Sequence, residues 1–180
     1  MTKEEIENIK KHKRWTITFT DIYSRYFFII FPLGIVLIGS AATLSGFKNN
    51  VTDLKIAAII ILSLGIFLTA FVVRRLYQNQ IFHSFQVNGL TKDKVDLALK
   101  QVSFDNIKYH RLGYYTMTTR VSWFSWGELI TIILDNNKLL INSRPTGSAF
   151  SFQPITIFKD RKNIKKIINE LTIISDNVTN

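Results

Sequence analysis

The chain has 180 residues, with 23 Lys+Arg against 13 Asp+Glu for a net charge of +10, and no cysteine. The missing cysteines exclude a disulfide frame, a thiol nucleophile and a thiolate metal site, and His12, His83 and His110 lack the spacing of a zinc site. Two apolar runs take up about 50 residues, which leaves one folded domain of roughly 100.

Residues 1–14 (MTKEEIENIKKHKR) read as a short helix or a charged, disordered arm. Ile6 and Ile9 share a face, too little apolar surface for a core. Residues 14–20 alternate Trp15, Ile17 and Phe19 with Thr16, Thr18 and Thr20, a strand period. The segment either pairs with a later sheet, the favoured reading, or lies at a membrane interface with Trp15 at headgroup level.

The next stretch organises the chain. Residues 26–47 (YFFIIFPLGIVLIGSAATLSGF) and 56–73 (IAAIIILSLGIFLTAFVV) are uncharged. A bilayer core of about 30 Å needs roughly 20 apolar helical residues. Lys55 and Arg74 can extend the second run by snorkelling. The linker Lys48-Asn49-Asn50-Val51-Thr52-Asp53-Leu54-Lys55 is short, so a transmembrane hairpin of antiparallel helices is expected over about 26–47 and 54–75, inside a 26–75 hairpin segment. Small residues should mark its packing face: Gly34, Ala42, Gly46, Ala58, Gly65 and Ala70 are available, with Ala42 and Gly46 at small-xxx-small spacing. Pro32 should bend the first helix near its start. Gly39-Ser40-Ala41-Ala42 imitates a signal-peptide cleavage site, but the preceding leader is long and carries Glu4, Glu5, Glu7 and Asp21.

Lys10, Lys11, Lys13, Arg14 and Arg25 precede the hairpin and Arg74 and Arg75 follow it, against Lys48 and Lys55 in its loop. The positive-inside rule therefore places both termini in the cytoplasm. Neither run contains an interior ionisable residue, the usual mark of an ion path.

The remainder reads as α+β. A strand over 76–87 closes at Asn88-Gly89. Thr91 caps a helix over 92–102 whose Val95, Ala98, Leu99 and Val102 share a face. Strands follow over 104–112 and 114–123, with Gly113 at the turn. A clearer hairpin pairs 128–135 with 138–144 across Asn136-Asn137, a type I′ turn. That turn opposes Asp135 to Lys138, Leu134 to Leu139, Ile132 to Ile141 and Ile130 to Ser143, and makes one face nearly all apolar. The other face carries Thr131, Asn142 and the Asp135–Lys138 pair. Pro145 and Pro154 argue against a central strand after it. Asp160 caps a last helix over 161–174, with Ile164, Ile167, Ile168, Leu171 and Ile174 as its buried stripe, before a frayed 175–180 tail. The expected domain, 76–175, is two layers: an antiparallel sheet of about four or five strands under two helices.

Three groups of residues are candidate surfaces. Trp123 and Trp126, with Phe124 between them, either pack on the sheet or membrane interface or form an aromatic partner surface. Arg144 ends a strand before a Pro/Gly loop and can clamp an anion; its register partner is Leu129, which leaves Glu128 on the other face. Lys159, Arg161, Lys162, Lys165 and Lys166 lie at the start of the last helix, where the dipole also favours anions. A solvated face comes first for these, then anionic lipid headgroups, which Arg74 and Arg75 would also meet. Nucleic acid comes last, since no nucleic-acid motif accompanies the charges. No nucleophile elbow, phosphate loop, GxGxxG or HExxH occurs.

The capped helix, the SWGE turn at 125–128, the INSR strand end at 141–144 and the KNIKKIINEL segment at 162–171 resemble those of small bacterial two-transmembrane-helix proteins of unknown function with an α+β soluble domain. The resemblance covers 90–171 and implies an anchored α+β domain and no activity. The expectation from the residues is a bacterial inner-membrane protein, not an enzyme and without cofactors. Its basic domain would contact the anionic leaflet and bind a protein partner, a second copy or a small anionic ligand. The alternative is an effector or immunity protein in which the hairpin assembles in the membrane or blocks a pore there.

Overall fold

The computed structural model describes residues 1–17, 19, 27–87, 89–120, 127–146 and 159–178. It divides into a helical unit, Ile17–Gln78, and an α+β unit formed by Met1–Thr16 with Asn79–Asn180.

In the helical unit, a 3₁₀ turn (Phe27–Ile29) leads into helix α2 (Ile30–Lys48), and a short loop leads to α3 (Thr52–Gln78). Phe27–Lys48 and Thr52–Gln78 are both long and apolar enough to cross a membrane. Pro32 falls in the first turn of α2, just after the change from 3₁₀ to α geometry, where its missing N–H costs no helical bond. Buried residues recur every seven positions on each helix: Pro32, Gly39 and Gly46 on α2, and Ala58, Gly65 and Val72 on α3. Seven residues are close to two helical turns, so each series forms a narrow seam along one side. Two glycines set how closely the helices approach. A Cβ on Gly39 would lie 2.7 Å from the Leu62 backbone nitrogen, and one on Gly65 would lie 2.9 Å from the Val36 nitrogen. The expected Ala42/Gly46 pair is thus half right: Gly46 is in the seam, whereas Ala42 is only half-buried and Gly34 faces open space. Outside the seam, Phe31, Leu37, Ile60 and Phe67 are exposed, as suits side chains in lipid.

Among the described residues the α+β unit has a fully antiparallel five-stranded sheet in the order β1-β5-β4-β3-β2. Its strands are β1 (His83–Gln86), β2 (Asp105–His110), β3 (Tyr114–Thr118), β4 (Glu128–Asp135) and β5 (Lys138–Pro145). The β4–β5 register is the expected one, with Asp135 opposite Lys138 and Ile132 opposite Ile141, and Asn136 takes the positive φ (+50°) of the turn. Pro145 is the last residue of β5, where a missing N–H is tolerated.

Helices α4 (Lys92–Gln101) and α5 (Lys159–Val178) cover one face of the sheet. Val95, Ala98 and Leu99 of α4 and Ile164, Ile167, Leu171 and Ile174 of α5 pack there with Val102, Tyr115, Met117, Ile130, Ile132, Leu139 and Ile141. Thr91 caps α4 as expected, its side chain accepting from the Lys94 N–H. Helix α5 begins earlier than expected, which puts Asp160 inside its first turn, and it continues to Val178 through the expected frayed tail. Burial, and then a hydrogen bond of 2.7 Å to Asp96, hold the Tyr115 hydroxyl well above the usual tyrosine range, so it stays a donor.

The amino-terminal arm differs from the expectation of too little apolar surface. Helix α1 (Lys3–His12) has a complete capping box between Thr2 and Glu5. Its Ile6 and Ile9 pack with Phe82, Tyr114, Ile133 and Leu140 on the second sheet face, so a short third layer completes the α+β unit. Lys10 also lies 3.7 Å from Asp135. Of the expected strand at 14–20, the described residues show a single bridge, Arg14 with Ile81, while Thr18 and Thr20 lie outside them. The expected strand over 76–87 is helical to Gln78, because the apolar spacing of α3 continues through Leu76; Ile81 makes the bridge to Arg14, and the sheet strand itself runs from His83 to Gln86.

Gly39→Leu should force α2 and α3 apart, because the atoms it meets are backbone and cannot swing away. We expect loss of the compact hairpin, read as a lower melting temperature and altered migration in mild detergent, with Gly34→Leu close to wild type.

Candidate functional site

The most complete candidate site is a groove between the edge strand β1 and helix α5. The pairs His83 with Ile141 and Phe85 with Leu139 put His83 and Phe85 on the sheet face that carries α5. On α5, Arg161, Ile164, Lys165 and Ile168 recur at i, i+3, i+4 and i+7 and so share one flank. These six residues line a cavity of about 360 Å³. Ile164 closes its floor as part of the core, with Phe85 and Ile168 half-buried beside it. Arg161, Lys165 and His83 are exposed at its rim. The groove can hold an anion through guanidinium and ammonium donors while its floor covers an apolar group.

A buried polar anchor holds this end of α5. Glu128, at 0 % exposure, accepts a hydrogen bond from the Ser143 hydroxyl and another, at 2.7 Å, from the Asn163 side-chain amide. Asn163 lies two residues from Arg161 and two from Lys165, so the anchor fixes the helix turn that presents both cations. The start of β4 is locked as well. The Glu128 N–H donates to the Thr119 hydroxyl at 2.8 Å, and the Thr119 N–H donates to the Glu128 carbonyl at 2.9 Å. Gly127 has φ +87°, and a Cβ there would lie 2.6 Å from the Thr119 carbonyl oxygen, so only glycine fits. Ser143 and Glu128 are both buried and bonded to each other, which suits an anchor rather than a nucleophile and its base.

Arg144 sits on the opposite face of the sheet. Its guanidinium lies 4.1 Å from the centre of the Trp15 ring. The Trp15 indole N–H in turn donates to the Asn142 side-chain oxygen at 2.9 Å. Opposite Leu129, as expected from the register, Arg144 is thus part of the packing of the amino-terminal segment. The structure does not bring it to the groove. Trp123 and Trp126 lie outside the described residues, as does the Lys159 side chain. Arg161, Lys162, Lys165, Lys166 and Arg74 are exposed, as headgroup contacts would be. Arg75, by contrast, is buried and donates to the Gln78 side-chain oxygen at 3.2 Å.

Of the candidate surface residues that are described, Arg161 and Lys165 line the groove. His83, Phe85, Ile164 and Ile168 complete it. Their signals were present as the period of two that puts His83 with Phe85 and as the i, i+4 flank of α5, but nothing in the sequence says that these two elements adjoin. Among the described residues, no group of three or more His, Asp or Glu is placed to hold a metal ion. Compared with family models, curated proteins and solved structures, the chain matches none.

Glu128→Ala would leave the Asn163 amide and the Ser143 hydroxyl without their acceptor. An orphaned buried polar group costs about 1–3 kcal/mol, so thermal denaturation should show clear destabilisation. Glu128→Gln, which keeps an acceptor oxygen, should recover part of it.

Proposed function

We propose that the protein is an integral protein of the bacterial inner membrane whose tethered α+β unit binds a small anionic ligand without turning it over. The observation that carries this reading is the pair of exposed cations, Arg161 and Lys165, one helical turn apart over a preformed groove. Basic groups on a rigid helix are pre-organised for an anion, and the nearby amino-terminal end of α5 adds the positive end of its dipole. A net charge of +10 favours approach of an anion from a distance. A protein partner is the second ligand class this reading admits.

The fold of the α+β unit also supports the topology. Residues 1–16 and 79–180 build one unit, although both apolar helices lie between them in sequence. Two crossings return the chain to the side it left, so both termini share a compartment. The Lys/Arg bias at the hairpin ends favours the cytoplasm. The small-residue seam, with large apolar side chains outside it, supports an anchoring role for the hairpin over the pore-forming or pore-blocking alternative.

Two measurements test this. With pyrophosphate as probe, titration of the full chain in nanodiscs should show saturable binding. The Arg161→Gln/Lys165→Gln variant should weaken it by about tenfold or more, since a charge-assisted bond contributes about 1.5–3 kcal/mol. Unchanged affinity would remove the groove as the site. For topology, single cysteines at Asn50 and Asn137 can be labelled in intact cells with a membrane-impermeant maleimide. Labelling at Asn50 alone is expected, and labelling at Asn137 alone would put the α+β unit outside the cell.

A further inference from the structure

Resting on the anionic-ligand reading above, we infer that the groove takes an anionic amphiphile: a molecule with a phosphate or carboxylate head and a single alkyl or acyl chain. The lining divides by chemistry. Arg161 and Lys165 offer charged donors on the α5 side, with His83 facing them from β1, while Phe85, Ile164 and Ile168 form an apolar floor. A fully polar anion would satisfy the cations and leave that floor against water. A purely apolar ligand would cover the floor and leave the cations unused. A headed chain matches both halves at once.

Size and access agree with this occupant. A cavity of about 360 Å³ lies within the roughly 300–1,000 Å³ of small-molecule sites and exceeds what a lone phosphate needs. Among the described residues, strand β1 is an edge strand of four residues. A groove along an edge strand opens sideways, so a chain can enter lengthwise with its head left at the rim. On α5 the two kinds alternate, Arg161, Ile164, Lys165 and Ile168, with the cations at the exposed lip and the isoleucines turned inward, so a head at the lip leaves its chain over the floor.

The floor gives the inference a quantitative signature. Each buried methylene contributes about 0.8 kcal/mol, which is about fourfold in affinity. The test uses the full chain in nanodiscs of zwitterionic phosphatidylcholine. It is titrated with inorganic phosphate and with butyl, hexyl and octyl phosphate, and partition into empty nanodiscs is subtracted. Affinity should rise from inorganic phosphate through the series, by up to about fourfold per methylene, until the floor is filled. Phe85→Ser and, separately, Ile168→Ser should flatten the chain-length dependence. Arg161→Gln/Lys165→Gln should weaken every member by a similar factor. Equal affinity for inorganic and octyl phosphate would overturn the amphiphile while leaving the anion site standing. Chain-length dependence that survives both floor variants would place the chain elsewhere and overturn it too. Binding of no probe above the empty-disc background would overturn the anionic-ligand reading itself, and the amphiphile with it.

Discussion

The α+β unit depends on the side chain of one asparagine. Asn142 lies on β5 at 1 % exposure, and its amide is fully engaged. Its nitrogen donates to the carbonyls of Asn79 at 3.0 Å and Ile81 at 2.8 Å, and its oxygen accepts from the Trp15 indole at 2.9 Å. These partners belong to the two places where the chain leaves and re-enters the unit. There the backbone joins the segments to each other, the Trp15 N–H to the Gln80 carbonyl at 3.0 Å and the Phe82 N–H to the Lys13 carbonyl at 2.8 Å. The amide thus ties a segment before the apolar helices and one after them to the centre of the sheet. The Asn142 amide would lose some of these partners if either segment detached, and a buried, bare amide is expensive. Phe82 and Trp15, with ring centres 5.2 Å apart, complete the cover over this point. Helix α1 follows from the same constraint: once residues 13–16 are fixed, Ile6 and Ile9 are held close to Ile133, Leu140 and Tyr114, and the entropy of docking a ten-residue helix is largely met in advance.

The other face of the sheet uses a buried carboxyl group where this one uses an amide. Glu128 alternates in register with Leu129, so the same strand sends a carboxylate into the α5 layer and its neighbour to the other side. A carboxylate without donors in that position would destabilise the core. Ser143 and Asn163 supply them, and in doing so specify which turn of α5 sits over the end of β4. An apolar contact would allow α5 to slide by part of a turn, since its stripe of isoleucines repeats. A hydrogen-bonded acid and amide tolerate no such shift. The groove inherits this precision, because Arg161 and Lys165 flank Asn163.

Periodicity revealed what depends on local pattern. The uncharged runs gave the two long helices, Thr91 gave the start of α4, and the Asn136-Asn137 turn gave the β4–β5 register residue by residue. Partnerships between distant segments were not legible. Thr131 and Asn142 fall on the less apolar face of the β4–β5 hairpin, and nothing local signals that Trp15 returns from 127 residues away to partner Asn142. The seam of the hairpin was legible only in part, for a related reason. Small-xxx-small spacing describes one helix, whereas the seven-residue repeat of Pro32, Gly39 and Gly46 is recognised only against Ala58, Gly65 and Val72 on its partner. The groove is the extreme case, since its halves come from elements about 80 residues apart, and His83 alone looks like any strand residue.

On the proposed reading, the hairpin also sets the affinity the groove needs. Two exposed cations bind an anion modestly in free solution, because water and salt compete for each of them. A ligand already concentrated in or at the bilayer meets a tethered domain at an effective concentration that short tethers raise to the millimolar range. A weak groove is then occupied, and it can exchange its ligand quickly, since tight binding is mostly slow release. The exposed rim charges and the open edge of β1 suit this regime better than they suit sequestration. A carrier that must hold its cargo in water would bury it more deeply than a groove with three exposed residues at its rim allows. On that reading anchoring and shallow binding are complementary: the small-residue seam would keep the hairpin compact, and the Glu128 anchor would hold a modest site in fixed form where its ligand is abundant.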